Sequence, residues 1–296
     1  MQTSIECLSC FACQALATAR LSSNDPDIEK RVVQEIGRLV SQFDLSLSPP
    51  ENAVEVYALI AELTDIHDPY EQLRKKSNAM ALSIRDRIRR RINSSENPVK
   101  TALHYAVAAN IIDYGARHDF DEINILENCL HRDFFIDDTE GFISALKSVA
   151  GLKILYLADN SGEIVFDGLL VEQLQKFGCD VTLAVRGKRI LNDVTIEDAV
   201  ECGIDKLCRV ITNGTGCPGS PLSSCSDTFR KVFSESDIII SKGQGNFETL
   251  SEVDGPIYFL LTVKCRVVGR HIAGMRKVDA RPGIDNGEMI LMKKEQ

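Results

Sequence analysis

The chain has 296 residues, 44% of them hydrophobic, enough for one large domain or two smaller ones with a proper core. Its formal net charge of -9 argues against a nucleic-acid or membrane-surface partner, because both require a basic face. No segment reaches the roughly 18 apolar residues of a membrane span, and Met1–Cys10 has neither the basic start nor the apolar run of a secretory signal.

Ten cysteines without a secretory signal read as thiols or metal ligands rather than disulfides, with the cytoplasm as the default location. Three of them, Cys7, Cys10 and Cys13, lie in Met1–Arg20. On a helix, residues three apart share a face, so these thiols form one stripe. They read either as a soft-metal or iron–sulfur site lacking a fourth ligand, or as three small residues buried against a neighbouring helix.

Asp25–Phe43 carries Ile28, Val32, Val33, Ile36, Leu39 and Val40 at helical spacing, and Ser48-Pro49-Pro50 stops it. Asn52–Thr64 reads as a short helix. Tyr70–Ile92 reads as the next, ending in the basic run Arg87–Arg91, a solvated face in an acidic chain. Asn97-Pro98 opens a helix over Val99–Gly115, with Leu103, Val107, Ile111 and Tyr114 on its apolar stripe. Asn110 lies near that stripe, as a structural bracket or a group pointing into a site. His104 and His118 have no partner at ligand spacing and read as structural. Residues 1 to about 148 thus form a helical N-terminal subdomain without a clear strand.

From Gly151 the period changes, and residues 149–296 read as a second unit. Apolar runs occur at Lys153–Ala158, Val181–Val185, Lys206–Ile211, Asp237–Ser241, Ile257–Val263 and Glu288–Met292, most of them separated by helical stretches. That alternation predicts an α/β fold, a mostly parallel sheet with helices on both faces.

Parallel strands collect ligands at their carboxyl ends. Polar clusters follow five of these runs. Asp159-Asn160-Ser161-Gly162-Glu163 offers hard oxygen donors suited to a divalent cation. Arg186-Gly187-Lys188 leads to Asn192-Asp193-Val194-Thr195. Asn213–Gly219 is glycine-rich. Lys242-Gly243-Gln244-Gly245-Asn246-Phe247-Glu248 combines a cation with glycines that expose backbone amides. Lys264-Cys265-Arg266 ends the fifth. Acidic and amide oxygens for a cation (Asp159, Asn160, Asp193), with fixed cations for an anion (Lys242, and Arg186 or Lys264), are what phosphoryl transfer needs. The sequence has no GxxxxGK[ST], and Gly243-Gln244-Gly245 has no third glycine at the offset of a dinucleotide fingerprint, which lowers the kinase, ATPase and dehydrogenase readings; it has no GxSxG elbow either.

These three motifs in order, Asp159–Glu163, Arg186–Thr195 and Lys242–Glu248, resemble the metal-dependent damage-control phosphatase family built on domain of unknown function 89. Cys7-Leu8-Ser9-Cys10 is similar to its prokaryotic and archaeal branch. The resemblance implies a helical N-terminal part on a three-layer α/β/α Rossmann-like domain, and hydrolysis of phosphate esters of small metabolites with magnesium, manganese, cobalt or nickel. It implies Asp159, Asn160 and Asp193 as metal ligands and catalytic residues, and Lys242 on the substrate phosphate. Glu163, Asp167 and Asn110 are implied as pocket positions. The chemistry of the clusters adds Arg186 and Gly243 as substrate-binding. Gly214–Cys225 departs from the family with extra Gly, Pro and Cys, which bears on substrate choice. Two other readings stand beside the phosphatase: an S-adenosylmethionine-dependent carboxyl methyltransferase, and a non-catalytic sensor of metal or phosphorylated ligand. The sequence leaves the oligomeric state open.

Overall fold

The computed structural model describes residues 1–109, 132–277 and 284–295. Five helices come first: α1 Ile5–Ser22, α2 Pro26–Val40, α3 Pro49–Thr64, α4 Glu71–Ser94 and α5 Pro98–Ala108. Their starts follow the local chemistry. Pro26, Pro49 and Pro98 occupy first-turn positions where the missing N–H costs nothing. Asp25 caps the Asp27 N–H at 2.9 Å, and Asn97 caps Lys100 at 3.1 Å.

The α/β part alternates β1 Ile136–Asp137, α6 Thr139–Ser148, β2 Lys153–Leu157, α7 Glu163–Lys176, β3 Asp180–Val185, α8 Ile196–Glu201, β4 Arg209–Thr212, α9 Asp227–Glu235, β5 Ile238–Lys242, α10 Gly243–Leu250, β6 Ile257–Thr262, α11 Arg266–Arg276 and β7 Met289–Lys293. The strands form one seven-stranded sheet in the order β1-β7-β6-β5-β2-β3-β4. All neighbours are parallel except β6 and β7.

Two-residue alternation sends successive strand side chains to opposite faces. Ile154, Tyr156, Leu183 and Ile240 join one core with α4, α5 and α7. Leu155, Leu157, Ile239 and Phe259 join the other with Phe229, Phe247 and Val268 of α9, α10 and α11. Helices α1, α2 and α3 share a third core around Phe11, Val32, Ile36, Val56 and Ile60. The helical segment therefore divides: α1–α3 pack mainly on one another, while α4 and α5 belong to a layer of the sandwich.

The reading of residues before 148 as free of strands needs correction. Ile136 and Asp137 pair with Ile290 and Leu291 as the edge strand β1. Two residues carry no periodicity, so the pairing is legible only from β7. The strand expected from Lys206 starts at Arg209, because Ile204–Lys206 close a 3₁₀ turn.

The order places β2 beside β5, so the chain leaves the sheet in opposite directions from these neighbours. A crevice forms outside their carboxyl ends at such a switch point. The clusters beginning at Asp159 and Lys242 both open there.

Candidate active site at the carboxyl ends of the strands

The loop after β3 folds back onto the turn after β2. Val194 N–H donates to Asp159 O at 2.9 Å, Ser161 N–H to Asn192 O at 2.9 Å, and Asn160 pairs with Asp193 in an antiparallel bridge. This backbone clasp, not proximity in sequence, brings the two aspartates together. Asp193 is not a helix cap: Thr195 begins α8, its N–H and Oγ1 both donating to Asp198 at 2.9 Å.

Between the two carboxylates lies the Arg186 guanidinium. Its Nε donates to Asp193 Oδ2 at 2.6 Å and its Nη2 to Asp159 Oδ1 at 3.3 Å. Asn160 Nδ2 donates to Asp159 Oδ2 at 3.0 Å and to Glu163 Oε1 at 2.7 Å, which leaves Oδ1 as its oxygen for a cation. Lys242 Nζ donates to Asp167 Oδ1 at 2.8 Å and to Glu163 Oε2 at 3.2 Å. One polar chain thus runs from Asp167 through Lys242, Glu163, Asn160, Asp159 and Arg186 to Asp193, buried throughout.

Burial, then the charges of Asp193 and Glu163, push the Asp159 carboxyl up to about 7 against the pull of Arg186. Burial also raises Asp193 despite Arg186. Lys242 runs the other way: burial opposes its charge, but Asp167 and Glu163 more than offset it and hold it protonated. A set of crowded, desolvated carboxylates is under-supplied with positive charge, the condition a cation relieves.

Gly243 fits a special role. Its φ is +77°, and a Cβ there would stand 1.9 Å from Asp159 Oδ2. Only glycine lets β5 pass into α10 this close to the aspartate. Lys242–Glu248 is thus the start of a helix rather than a flexible loop.

The structure brings Asp159, Asn160, Asp193, Glu163, Lys242, Gly243 and Arg186 together. Asn110 and His118 lie outside the described residues. Arg186, expected on the substrate anion, is only 2% exposed and engaged by Asp159, Asp193 and Asn246 (Nη1 to Oδ1, 2.8 Å), so it braces the carboxylates. Lys264 is exposed, and its charge bears on both Asp159 and Asp193.

Three supporting residues escaped the sequence reading. Asn246 joins Arg186 to the backbone, donating from Nδ2 to Lys242 O at 2.8 Å and Ala158 O at 3.2 Å. Asn78 of α4 accepts from Gly162 N–H at 2.8 Å and donates to Asp198 at 3.0 Å. Tyr156 Oη donates to Asp167 Oδ1 at 2.6 Å. Asn246 sat in the glycine-rich motif and was findable there; Asn78 lies 84 positions from its partner, in a helix with no other mark.

The expectation of three buried thiols fails at Cys10 and Cys13, which are exposed, while Cys7 is half-buried. Helix α1 buries Phe11, Ala15, Thr18 and Ala19, a stripe that the thiols flank. Every described cysteine is a free thiol. Among the described residues no group of three His, Cys, Asp or Glu side chains is arranged to hold a metal ion. The candidate set at Asp159 is two carboxylates and an amide, hard donors that suit magnesium or manganese.

Among the described residues, one cavity opens at an edge of the sheet and another between the helical segment and a loop. The larger, about 490 Å³, is lined by Asp138, Tyr258, Arg276 and Lys293 at the amino end of β6, the edge opposite the candidate site. The smaller, about 180 Å³, adjoins the loop that carries Asp193.

Comparison with known proteins gives the family and the fold. The model of the damage-control phosphatase ARMT1-like domain matches residues 3–278. A damage-control phosphatase of Archaeoglobus fulgidus is 32% identical over 98% of each chain. One of Pyrococcus horikoshii is 32% identical over 92% of this chain and 94% of its own. An uncharacterized protein of Methanocaldococcus jannaschii is 33% identical over 98% of this chain and 94% of its own. The crystal structure of a DUF89 family protein from Pyrococcus horikoshii superimposes with a TM-score of 0.88 at 30% identity, covering all of both chains.

Proposed function

The chain belongs to the damage-control phosphatase family with an ARMT1-like domain and is a phosphatase of that class, and from this premise we propose how its own residues do the work. The substrate is a small phosphorylated metabolite and the site holds one divalent cation, magnesium, manganese, cobalt or nickel. Asp159, Asn160 Oδ1 and Asp193 are the ligands. The observation that carries this is the span of one guanidinium: Arg186 reaches both Asp159 and Asp193, so the two carboxylates are close enough to share an ion.

The cation, when bound, neutralises phosphate oxygens and lowers the pKa of water. Arg186 braces the two carboxylates and opposes the rise that burial imposes on both. Lys242, expected on the substrate phosphate, is fully buried and held by Asp167 and Glu163, so it supplies a fixed positive field behind Glu163 instead, and Glu163 stands ready to orient the attacking water. Lys264, exposed, meets the incoming phosphate at the mouth. The Gly243 backbone keeps Asp159 in place. A cytoplasmic location belongs to the same reading. Of the three readings the sequence left open, family membership supports the phosphatase. Among the described residues no helix is long and apolar enough to cross a membrane.

The test is hydrolysis of p-nitrophenyl phosphate and a panel of phosphorylated metabolites with each of the four metals. Activity should require metal and vanish in Asp159→Ala and Asp193→Ala. Metal-dependent release that survives Asp159→Ala overturns the assignment.

A further inference from the structure

We propose, as a step that rests on the phosphatase reading, that the 180 Å³ cavity receives the substrate's leaving group, and that this group carries an apolar, ring-sized body. The cavity lies between α3, the segment that enters α4, and the loop after β3. Tyr57, Ile66, Pro69, Tyr70, Ile190 and Leu191 form much of its wall.

That wall and the candidate metal ligand are one piece of chain. Asp193 N–H donates to Ile190 O at 3.1 Å. Leu191 sits at φ +49°, a conformation a leucine adopts only when its surroundings impose it. Arg74, itself buried, imposes it by donating from Nη1 to Leu191 O at 3.0 Å while paired with Asp68 at 2.5 Å. On the facing side stands Tyr57, whose hydroxyl burial raises well above its ordinary pKa. The loop that presents Asp193 to the candidate site thus also forms one wall of this cavity.

Size and polarity name the occupant. An apolar cavity of about 150 Å³ takes up a benzene ring, so this one accommodates a single six-membered ring and little more. Four of its polar side chains, Thr18, Tyr57, Asp68 and Tyr70, already have partners. Thr18 Oγ1 and Tyr70 Oη share a hydrogen bond of 2.8 Å, Tyr57 Oη donates to Gln14 at 2.9 Å, and Asp68 is held by Arg74 and Arg189. A polyol would lose its water partners and find few replacements, whereas an apolar ring gains by leaving water.

The discriminating experiment compares benzyl phosphate with glycerol 1-phosphate, two alkyl esters, on the metal-loaded full chain. The wild type should show the lower KM for benzyl phosphate. Ala58 lines the cavity from its open side, so Ala58→Phe should fill it and lower the benzyl-to-glycerol ratio of kcat/KM by about 10-fold, as one ill-fitting group in an apolar pocket does. Tyr57→Ala, which removes a wall, should lower the same ratio. Calorimetry with benzylphosphonate, which is not hydrolysed, should show the matching loss of affinity. A ratio unchanged in both variants, or a wild-type preference for glycerol 1-phosphate, overturns the leaving-group proposal while the phosphatase reading stands. Absence of hydrolysis of both esters with all four metals overturns the phosphatase reading and this proposal with it.

Discussion

Lys242 Nζ lies 2.8 Å from Asp167 Oδ1, and neither residue has any exposed surface. Asp167 also accepts from Tyr156 through the same oxygen, while its Oδ2 has no hydrogen-bond partner. Removing one partner of a buried pair leaves an uncompensated charge, which costs about 3–5 kcal/mol. Lys242→Met should therefore unfold at a lower denaturant midpoint by that order and lose activity. Lys242→Met combined with Asp167→Asn should recover part of the stability and none of the activity. Chemical denaturation of the two variants beside the wild type measures both shifts.

Gly243→Ala tests the approach of backbone to carboxylate. The added Cβ meets the Asp159 carboxylate, and φ of +77° disfavours any side chain. The carboxylate must move by about an ångström, a displacement that costs on the order of 10²-fold in rate. We expect kcat to fall by that factor while circular dichroism stays native. Wild-type kcat in Gly243→Ala would show that Asp159 need not stand where it does.

Glu248 provides a pH signature outside the carboxylate cluster. Burial pushes its carboxyl up to about 7 from 4.5, with Gln244 Nε2 opposing as a donor at 2.9 Å. A carboxyl whose folded pKa is raised stabilises the fold below its unfolded pKa and loses that contribution as pH rises through the folded value. The window is thus about pH 4.5 to 7. Glu248→Gln keeps the hydrogen bond and removes the titration. Its stability relative to wild type should increase with pH across that window, by up to about 3 kcal/mol. Thermal melts at half-unit pH steps read this directly. A difference independent of pH would contradict it.

Asn78→Ala removes a buried amide that serves Gly162 N–H, Asp198 and Glu201 together. Unsatisfied buried groups cost about 1–3 kcal/mol each. The variant should lose stability in that range, and its affinity for the activating metal should fall, because Gly162 anchors the turn that holds Asp159 and Asn160. Calorimetric metal titration separates the two effects. Loss of stability with unchanged metal affinity would confine Asn78 to a structural role.

Local periodicity determined much of this protein. The shift near Gly151 from helical spacing to short apolar runs marked the strands, because a buried parallel strand must be apolar on both faces. The polar residues at the ends of those runs marked the site, because carboxyl ends of parallel strands are where a sheet opens to ligand. Tertiary structure alone decided what each group does. Arg186 reads in sequence as a cation for substrate, yet the fold places its guanidinium between Asp159 and Asp193, 27 and 7 positions away. Asn78 and Gly162, 84 positions apart, meet only because α4 packs on α7. Strand β1 exists only because β7 presents an edge to it. Periodicity records which face of an element is buried; the partner of a buried polar group is set by packing between distant elements, and no local pattern encodes it.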